Sequence, residues 1–139
     1  MKRISLFILF VFAVMFAASA ISFAQSQPVL YFCEKYDSRK GEVGISDRFT
    51  TGFLTVMVKC DYALNLTDCA IQYDKYNERT GKFDYYKKFY FTVDPDMKYI
   101  FFSKNEESDM RFDDPGFYRV FLLDEDDRTV ASSLIEIIR

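Results

Sequence analysis

Apolar and polar side chains alternate with a period of two from Val29 to the C-terminus, and no stretch keeps a helical period for three turns. In the clearest segment, Leu54, Val56 and Val58 fall on one face and their neighbours on the other. The pattern predicts seven strands, over residues 29–36, 53–60, 69–76, 83–93, 98–103, 117–123 and 129–138. This spacing favours an all-β fold, a single antiparallel sandwich of two sheets.

The N-terminal segment predicts export and lies outside this pattern. Two basic residues precede an apolar run over residues 4–18, and small residues at positions suited to cleavage follow it. Cleavage after Ala24 leaves a mature sandwich domain over residues 25–139. The alternative is an uncleaved anchor, because residues 4–24 nearly span a bilayer core of ~30 Å. We expect a cleaved signal peptide over residues 1–24 and a periplasmic or secreted domain, which contacts a membrane only if that segment is retained.

The composition suits a small folded domain and argues against two classes of partner. Hydrophobic residues make up 50% of the chain and aromatic residues 19%, which is enough for a core and too apolar for disorder. Without Lys2 and Arg3, 16 basic residues stand against 21 acidic ones, for a net charge of −5. A mildly acidic surface argues against nucleic acid and anionic lipid as partners.

The C-terminal segment resembles a known kind of domain at the level of fold. Residues 115–124 (PGFYRVFLLD) and 131–137 (ASSLIEI) combine a Pro-Gly start, an inward tyrosine and valine, a charged turn and an alternating last strand. This combination resembles the closing hairpin of bacterial immunoglobulin-like sandwiches. The chain departs from antibody domains in having no tryptophan. The resemblance implies an architecture and neither a ligand nor an activity.

The residue types present argue against catalysis. The chain contains no histidine, which removes the commonest general base, the His-dependent hydrolase triads and most transition-metal sites. Its five glycines are scattered and do not form a phosphate-binding loop. We therefore expect neither an enzyme nor a cofactor.

The three cysteines, Cys33, Cys60 and Cys69, cannot all pair within one exported chain. One interpretation is a disulfide between Cys60 and Cys69, which would close the turn between them and stabilise the fold by ~2–3 kcal/mol. The other is that all three are thiols that pack as small hydrophobes. Both interpretations remain open at this stage. No metal site is expected, because no histidine or CxxC pair accompanies the cysteines.

A group of tyrosines interleaved with lysines predicts an exposed platform for sugar rings or for a protein partner. In the segment 83–93, the alternation places Tyr85 on the face that carries most of the phenylalanines. It places Tyr86 and Tyr90 on the opposite face. The alternative is that the rings cover the sheet edge and keep their hydroxyls at the surface. The candidate platform residues are Tyr73, Tyr76, Tyr86 and Tyr90.

Acidic residues cluster at positions 113–114 and 124–127. Oxygen-rich turns at the ends of sandwiches can bind calcium, which takes six to eight oxygen ligands. Neither cluster follows the spacing of an EF-hand loop, and Asp124 suits the start of a tight turn. We prefer a solvated hairpin turn to a calcium site.

The last hairpin is apolar on both of its faces. Tyr118, Val120 and Leu122 point to one side. The other side carries Phe117, Phe121 and Leu123. Since a sandwich strand needs only one apolar face, the second face must be covered by N-terminal residues, by a loop or by another chain.

These observations predict an exported, non-catalytic interaction or structural module of the cell envelope. Its partner would be another envelope protein or a second copy, bound through an exposed apolar and aromatic sheet face. The alternative function is a small-ligand module that binds carbohydrate through the surface tyrosines or calcium through the acidic turns.

Overall fold

β-strands are the only regular elements in residues 27–105 and 108–139, the part of the chain that the computed structural model describes. Since this part contains no helix, none of it crosses a membrane as a helix. The predicted signal peptide, residues 1–24, lies outside the described residues. The strands are β1 (Val29–Cys33), β2 (Lys35–Asp37), β3 (Gly41–Val43), β4 (Arg48–Thr50), β5 (Gly52–Phe53), β6 (Thr55–Lys59), β7 (Asp68–Asn77), β8 (Lys82–Thr92), β9 (Tyr99–Phe102), β10 (Arg111–Phe112), β11 (Gly116–Leu123) and β12 (Thr129–Ile138).

Two of the sheets pack face to face around one hydrophobic core. The three-stranded sheet has the order β1-β6-β9, and the five-stranded sheet has the order β4-β12-β11-β7-β8. Their facing side chains form a single cluster of buried residues. The all-β class and the two-sheet core predicted from the alternation are therefore confirmed.

Strand β11 supplies the centre of this core because all its inward side chains are apolar. Tyr118, Val120 and Leu122 are fully buried. From the opposite sheet, Val56 and Val58 of β6 join the same cluster. β11 pairs antiparallel with β12 on one side and with β7 on the other. The inward side predicted for the last hairpin is thus confirmed.

Tyr118 also fixes the corner at which the chain enters β11. Its hydroxyl donates a hydrogen bond to the backbone carbonyl of Asp114 over 2.7 Å, and its ring lies edge-on to Phe112. A tyrosine bonded to the backbone a few residues upstream is the tyrosine corner of immunoglobulin-like sandwiches. Together with the two-sheet order, this corner bears out the fold-level resemblance inferred from the closing hairpin.

The first strand is shorter than predicted. β1 ends at Cys33, and the residues up to Tyr36 begin a separate hairpin, β2–β3, whose turn is closed by the Asp37 carboxylate. Gly44 permits this course after β3. Its φ is +69°, and a Cβ there would lie 2.7 Å from the Glu34 side chain.

The sheet arrangement is more complex than seven antiparallel strands. Short strands occupy segments predicted as linker or loop: β4 adds to the five-stranded sheet, and β5 pairs with β10. β4 runs parallel to β12, whereas the other ladders are antiparallel. Strands of two or three residues carry too little alternation to be recognised in a sequence.

A β-bulge in β8 reverses the faces predicted for half of that strand. Asp74 of β7 pairs with Tyr85, and the residue before Asp74 pairs with Lys87, so Tyr86 is left over. One extra residue shifts a period-two alternation by one position. The prediction that Tyr85 lies on the face with most of the phenylalanines is therefore wrong. Tyr85 is exposed, and Tyr86 turns inward, edge-on to Tyr118.

The β2–β3 hairpin forms a third layer over the outside of the three-stranded sheet. Beneath it, Cys33 and Met57 are fully buried although neither belongs to the cluster between the two sheets. Tyr36 of the hairpin stacks on Phe101 of β9 with 4.5 Å between the ring centroids.

A polar cluster centred on Glu42 ties this hairpin to the sheet. The Glu42 carboxylate accepts hydrogen bonds from the Lys59 ammonium over 2.8 Å and from the Tyr31 hydroxyl over 2.6 Å. The ammonium also lies 4.7 Å from the centroid of the Tyr99 ring. These bonds, with the one from Lys59 first, lower the pKa of Glu42 to about 2. Burial, followed by the bond to Glu42, raises the pKa of Tyr31.

Replacing each of two core tyrosines by phenylalanine is expected to change stability in opposite directions. Tyr118 and Tyr73 are both buried, but only Tyr118 has a hydrogen-bond partner among the described residues. Tyr118→Phe leaves the Asp114 carbonyl without its donor and is expected to lower the free energy of unfolding by about 1–2 kcal/mol. Tyr73→Phe removes an unsatisfied buried hydroxyl and is expected to raise it by about 1 kcal/mol. Urea unfolding measures both, and equal losses would contradict the assigned corner bond.

The acid sensitivity of the fold is expected to depend on Glu42. Because its folded pKa lies below the ordinary value of 4.5, ionised Glu42 stabilises the fold above that pH. This stabilisation is lost as the pH falls from 4.5 to about 2. Glu42→Gln is therefore expected to unfold at a lower urea concentration than the wild type at neutral pH, with a difference that shrinks through this window. Urea midpoints at stepped pH measure it.

The control for this experiment is Glu78→Gln, which removes an exposed carboxylate from the β7–β8 turn. The control is expected to follow the wild type at every pH. A deficit of Glu42→Gln that stays constant down to the lowest pH would show that the carboxylate does not anchor the hairpin through its charge.

Candidate functional site

The candidate site is the outer face of the five-stranded sheet, which points away from the core. The ladders arrange its side chains in rows that cross β12, β11, β7 and β8. Phe117, Leu134 and Tyr85 are 52%, 53% and 66% exposed, and Tyr90 at one end is 73% exposed. We use the name outer face for Ser132, Leu134, Glu136, Phe117, Arg119, Phe121, Gln72, Asp74, Tyr76, Phe83, Tyr85, Lys88 and Tyr90.

Arg119 lies in the middle of the outer face, among aromatic rings. Its guanidinium carbon is 5.0 Å from the centroid of Phe83 and 5.9 Å from that of Phe121. Asp74 is its neighbour across the β11–β7 ladder and accepts a 2.8 Å hydrogen bond from the Gln72 side chain. Within residues 27–105 and 108–139, no ion pair includes either Arg119 or Asp74. A cation and an anion thus stand side by side with their charges unpaired.

The three hairpin residues predicted to form an exposed apolar face differ in their exposure. Phe117 is exposed and Phe121 is half-buried, but Leu123 is buried, and its predicted place on an open binding face is wrong. Lys88 of β8 forms an ion pair with Asp127 in the β11–β12 turn, which ties that turn to the edge of the sheet. In the ladders Leu123 lies beside Ala70, which is also buried.

The four predicted platform tyrosines do not share a surface. Tyr73 is fully buried in the core, so its predicted exposure is wrong. Tyr86 turns inward at the sheet edge, where its hydroxyl lies 3.4 Å from a carboxylate oxygen of Asp113. Tyr76 and Tyr90 do lie on the outer face, but near opposite ends of β8. The four tyrosines are separated because Tyr86 lies at the bulge in β8 and Tyr73 lies on the inward side of β7.

Several carboxylates of the acidic turn between β11 and β12 are engaged within the turn. Asp124 accepts hydrogen bonds from the backbone N–H groups of Arg128 and Asp126, and these bonds, with Arg128 first, lower the pKa of its carboxyl. The Arg128 guanidinium pairs with both Asp124 and Asp126. Among the described residues no group of three or more side chains is placed to hold a metal ion. The structure agrees with the hairpin turn and gives the calcium interpretation no support.

A cleft of about 660 Å³ opens beside this turn. Its walls include Tyr90, Asp68 and Asn105 together with carboxylates of the turn. Asp68 accepts a 2.9 Å hydrogen bond from the Thr92 hydroxyl, and Asn105 accepts one from the Ser108 backbone. Part of its polar lining is thus already hydrogen-bonded within the chain, and we regard the cleft as a weaker candidate than the outer face.

The cysteines, all of which lie in the described part of the chain, form no disulfide. The structure thus does not contain the bridge between Cys60 and Cys69 that was one of the two open interpretations. Cys69 faces the core from β7, and burial raises the pKa of its thiol to about 11. Cys60 follows β6 on the opposite sheet, where its backbone N–H donates to the Lys98 carbonyl over 2.8 Å. The alternative of small packed thiols fits Cys69 and Cys33, which are both buried.

Most residues of the outer face were not among the predicted site residues, and they include Arg119, Leu134 and Tyr85. A signal for Arg119 was present, because the alternation places it on the same side as Phe117 and Phe121. No comparable signal marked Tyr85, since its exposure depends on the bulge at Tyr86.

Comparison with known proteins yields a likeness of fold. No family model matches the chain, and no curated protein is significantly similar to it. One solved structure that is similar is an immunoglobulin-like protein from Pseudomonas aeruginosa. It is 10% identical, with 83% of this chain and 99% of that chain covered and a TM-score of 0.48. This likeness assigns no ligand, partner or activity to the chain.

Proposed function

We propose that this chain is an exported, non-catalytic interaction module of the cell envelope that binds a protein partner through the outer face. The observation that carries the proposal is the exposure of Phe117, Leu134 and Tyr85 on one sheet surface. Phe117 and Leu134 lie on adjacent strands, and Tyr85 lies on the same surface two strands from β11. Burial of exposed apolar surface stabilises a complex by roughly 25 cal/mol per Å².

The shape and the charges of the surface favour a protein over a small ligand. Sites for small molecules are concave, whereas a sheet face is broad and open. Aromatic rings with an arginine among them are the residue types enriched at protein interfaces. In the acidic turn, which is the alternative site, three of the four carboxylates are already paired with Arg128 or Lys88.

The proposal that the module is non-catalytic and exported is supported by the sequence. Without histidine, the chain lacks the side chain most often used as a general base near neutral pH. The basic start, the apolar run and the small residues up to Ala24 are typical of a secretory signal.

A photo-crosslinking amino acid at position 117 is expected to capture a partner in intact cells. Phe117 is 52% exposed on the outer face, so a probe there would lie inside the proposed interface. The matched control is position 101, because Phe101 is 46% exposed on the opposite sheet. The readout is a new band of higher mass after irradiation, identified by mass spectrometry. Adducts of equal yield from both positions, or none from position 117, would contradict the proposal.

The protein recovered from cells is expected to begin at Gln25. Cleavage after Ala24 removes the apolar run and leaves the polar residues before β1 as the new N-terminus. Intact-mass spectrometry of the cell-envelope fraction measures the terminus. A mass that retains residues 1–24 would instead support the anchor, and recovery in the cytoplasmic fraction would contradict export.

A further inference from the structure

The outer face is complementary to itself under a two-fold rotation. Arg119 and Asp74 are cross-strand neighbours on β11 and β7, at the centre of the apolar rings. A two-fold axis that lies in the plane between two facing copies, parallel to the strands and midway between β11 and β7, would place each Arg119 against the Asp74 of a second copy. Such an isologous interface forms the same contact twice. Both charges would then gain the partners that they lack within one chain.

We propose that the partner bound by the outer face is a second copy of this chain, packed face to face about this axis. Two reciprocal pairs between Arg119 and Asp74 would lie at its centre. This inference rests on the proposed function, since it uses the same surface. The apolar side chains that would surround the pairs are Phe117, Phe121, Leu134, Tyr76, Phe83 and Tyr85.

The charges of the face support a second copy as the occupant. The mature chain carries 16 basic and 21 acidic residues, so two copies repel each other over most of their surface. The charges of the outer face cancel when its ion-pair partners are included, because the set then holds three basic and three acidic side chains. These are Arg48, Lys88, Arg119, Asp74, Asp127 and Glu136. Two acidic copies can therefore approach through this face with the least repulsion.

The size of the face suits a weak dimer. Four strands at ~4.8 Å spacing and about eight residues at ~3.3 Å rise give a footprint of about 500 Å². The relief of the large side chains raises the accessible area above this footprint. A standard interface buries ~800 Å² on each partner, and smaller interfaces belong to weak or transient complexes, so we expect a dimer of low affinity.

Pairing of two copies through the edge strand β8 is less favourable than packing through the face. The bulge at Tyr86 interrupts the regular edge, and Lys82, Lys87 and Lys88 line the strand. Bulges and lysines are the features by which edge strands resist pairing with another chain. The face is therefore the surface that a second copy would use.

A charge-swap experiment on the protein as produced by the cell tests the dimer. Sedimentation equilibrium is expected to give a dimer for the wild type in the micromolar range. Arg119→Asp and Asp74→Arg each replace two attractive pairs by repulsive ones, so each is expected to raise the dimer dissociation constant at least about tenfold. The double variant restores opposite charges across the axis and is expected to return the constant to near the wild-type value.

The control is Arg39→Asp, which reverses an exposed arginine in the β2–β3 turn, away from the face, and is expected to leave the dimer unchanged. Urea unfolding of every variant establishes that each is folded. A monomeric wild type, or a double variant as weak as the single ones, would overturn the inference. If the wild type is monomeric but position 117 still crosslinks a different protein, the inference fails and the proposed function stands. A dimer insensitive to both reversals, with no adduct at position 117, would overturn both.

Discussion

Every β-strand directs half of its side chains to each side of its sheet, and a two-layer core uses only one of these sides. In this chain the second side of both sheets carries large apolar side chains among polar ones, and the two sheets differ in what covers them. On the three-stranded sheet the β2–β3 hairpin buries Cys33 and Met57, held by the bonds of Glu42. On the five-stranded sheet Phe117, Leu134 and Tyr85 remain exposed. The proposals follow from this difference.

The sequence alone predicted those parts of the fold that depend on alternation within one strand. The inward side of β11 and its fully apolar character were readable from Tyr118, Val120 and Leu122, because a strand of eight residues repeats the pattern often enough. The same alternation identified the apolar residues on the outward side of β11, and one of them, Phe117, is exposed in the structure. The signal peptide stays a prediction, since residues 1–24 lie outside the described part of the chain.

The parts that sequence reasoning missed depend on contacts between distant segments. Leu123 is buried although the alternation places it with Phe117, which is exposed, and no local pattern distinguishes the two. Tyr85 is exposed because β8 holds one residue more than its partner strand at the bulge, which is a property of the ladder and not of either strand. The disulfide alternative could not be decided from sequence for a related reason, since Cys60 and Cys69 are close in sequence but Cys60 follows β6 of one sheet and Cys69 lies in β7 of the other.

The placement of Arg119 explains how an exposed aromatic face can be both soluble and selective. A guanidinium that lies over Phe83 and near Phe121 shields ring faces while its edge stays hydrated, so the unbound domain exposes less bare apolar surface. On binding, the rings contribute affinity by leaving water. The arginine imposes a condition, because burying it without an acidic partner is costly. In the proposed interface a carboxylate of the partner would therefore lie at the centre of the face, and Asp74 beside Arg119 is such a group in the chain itself.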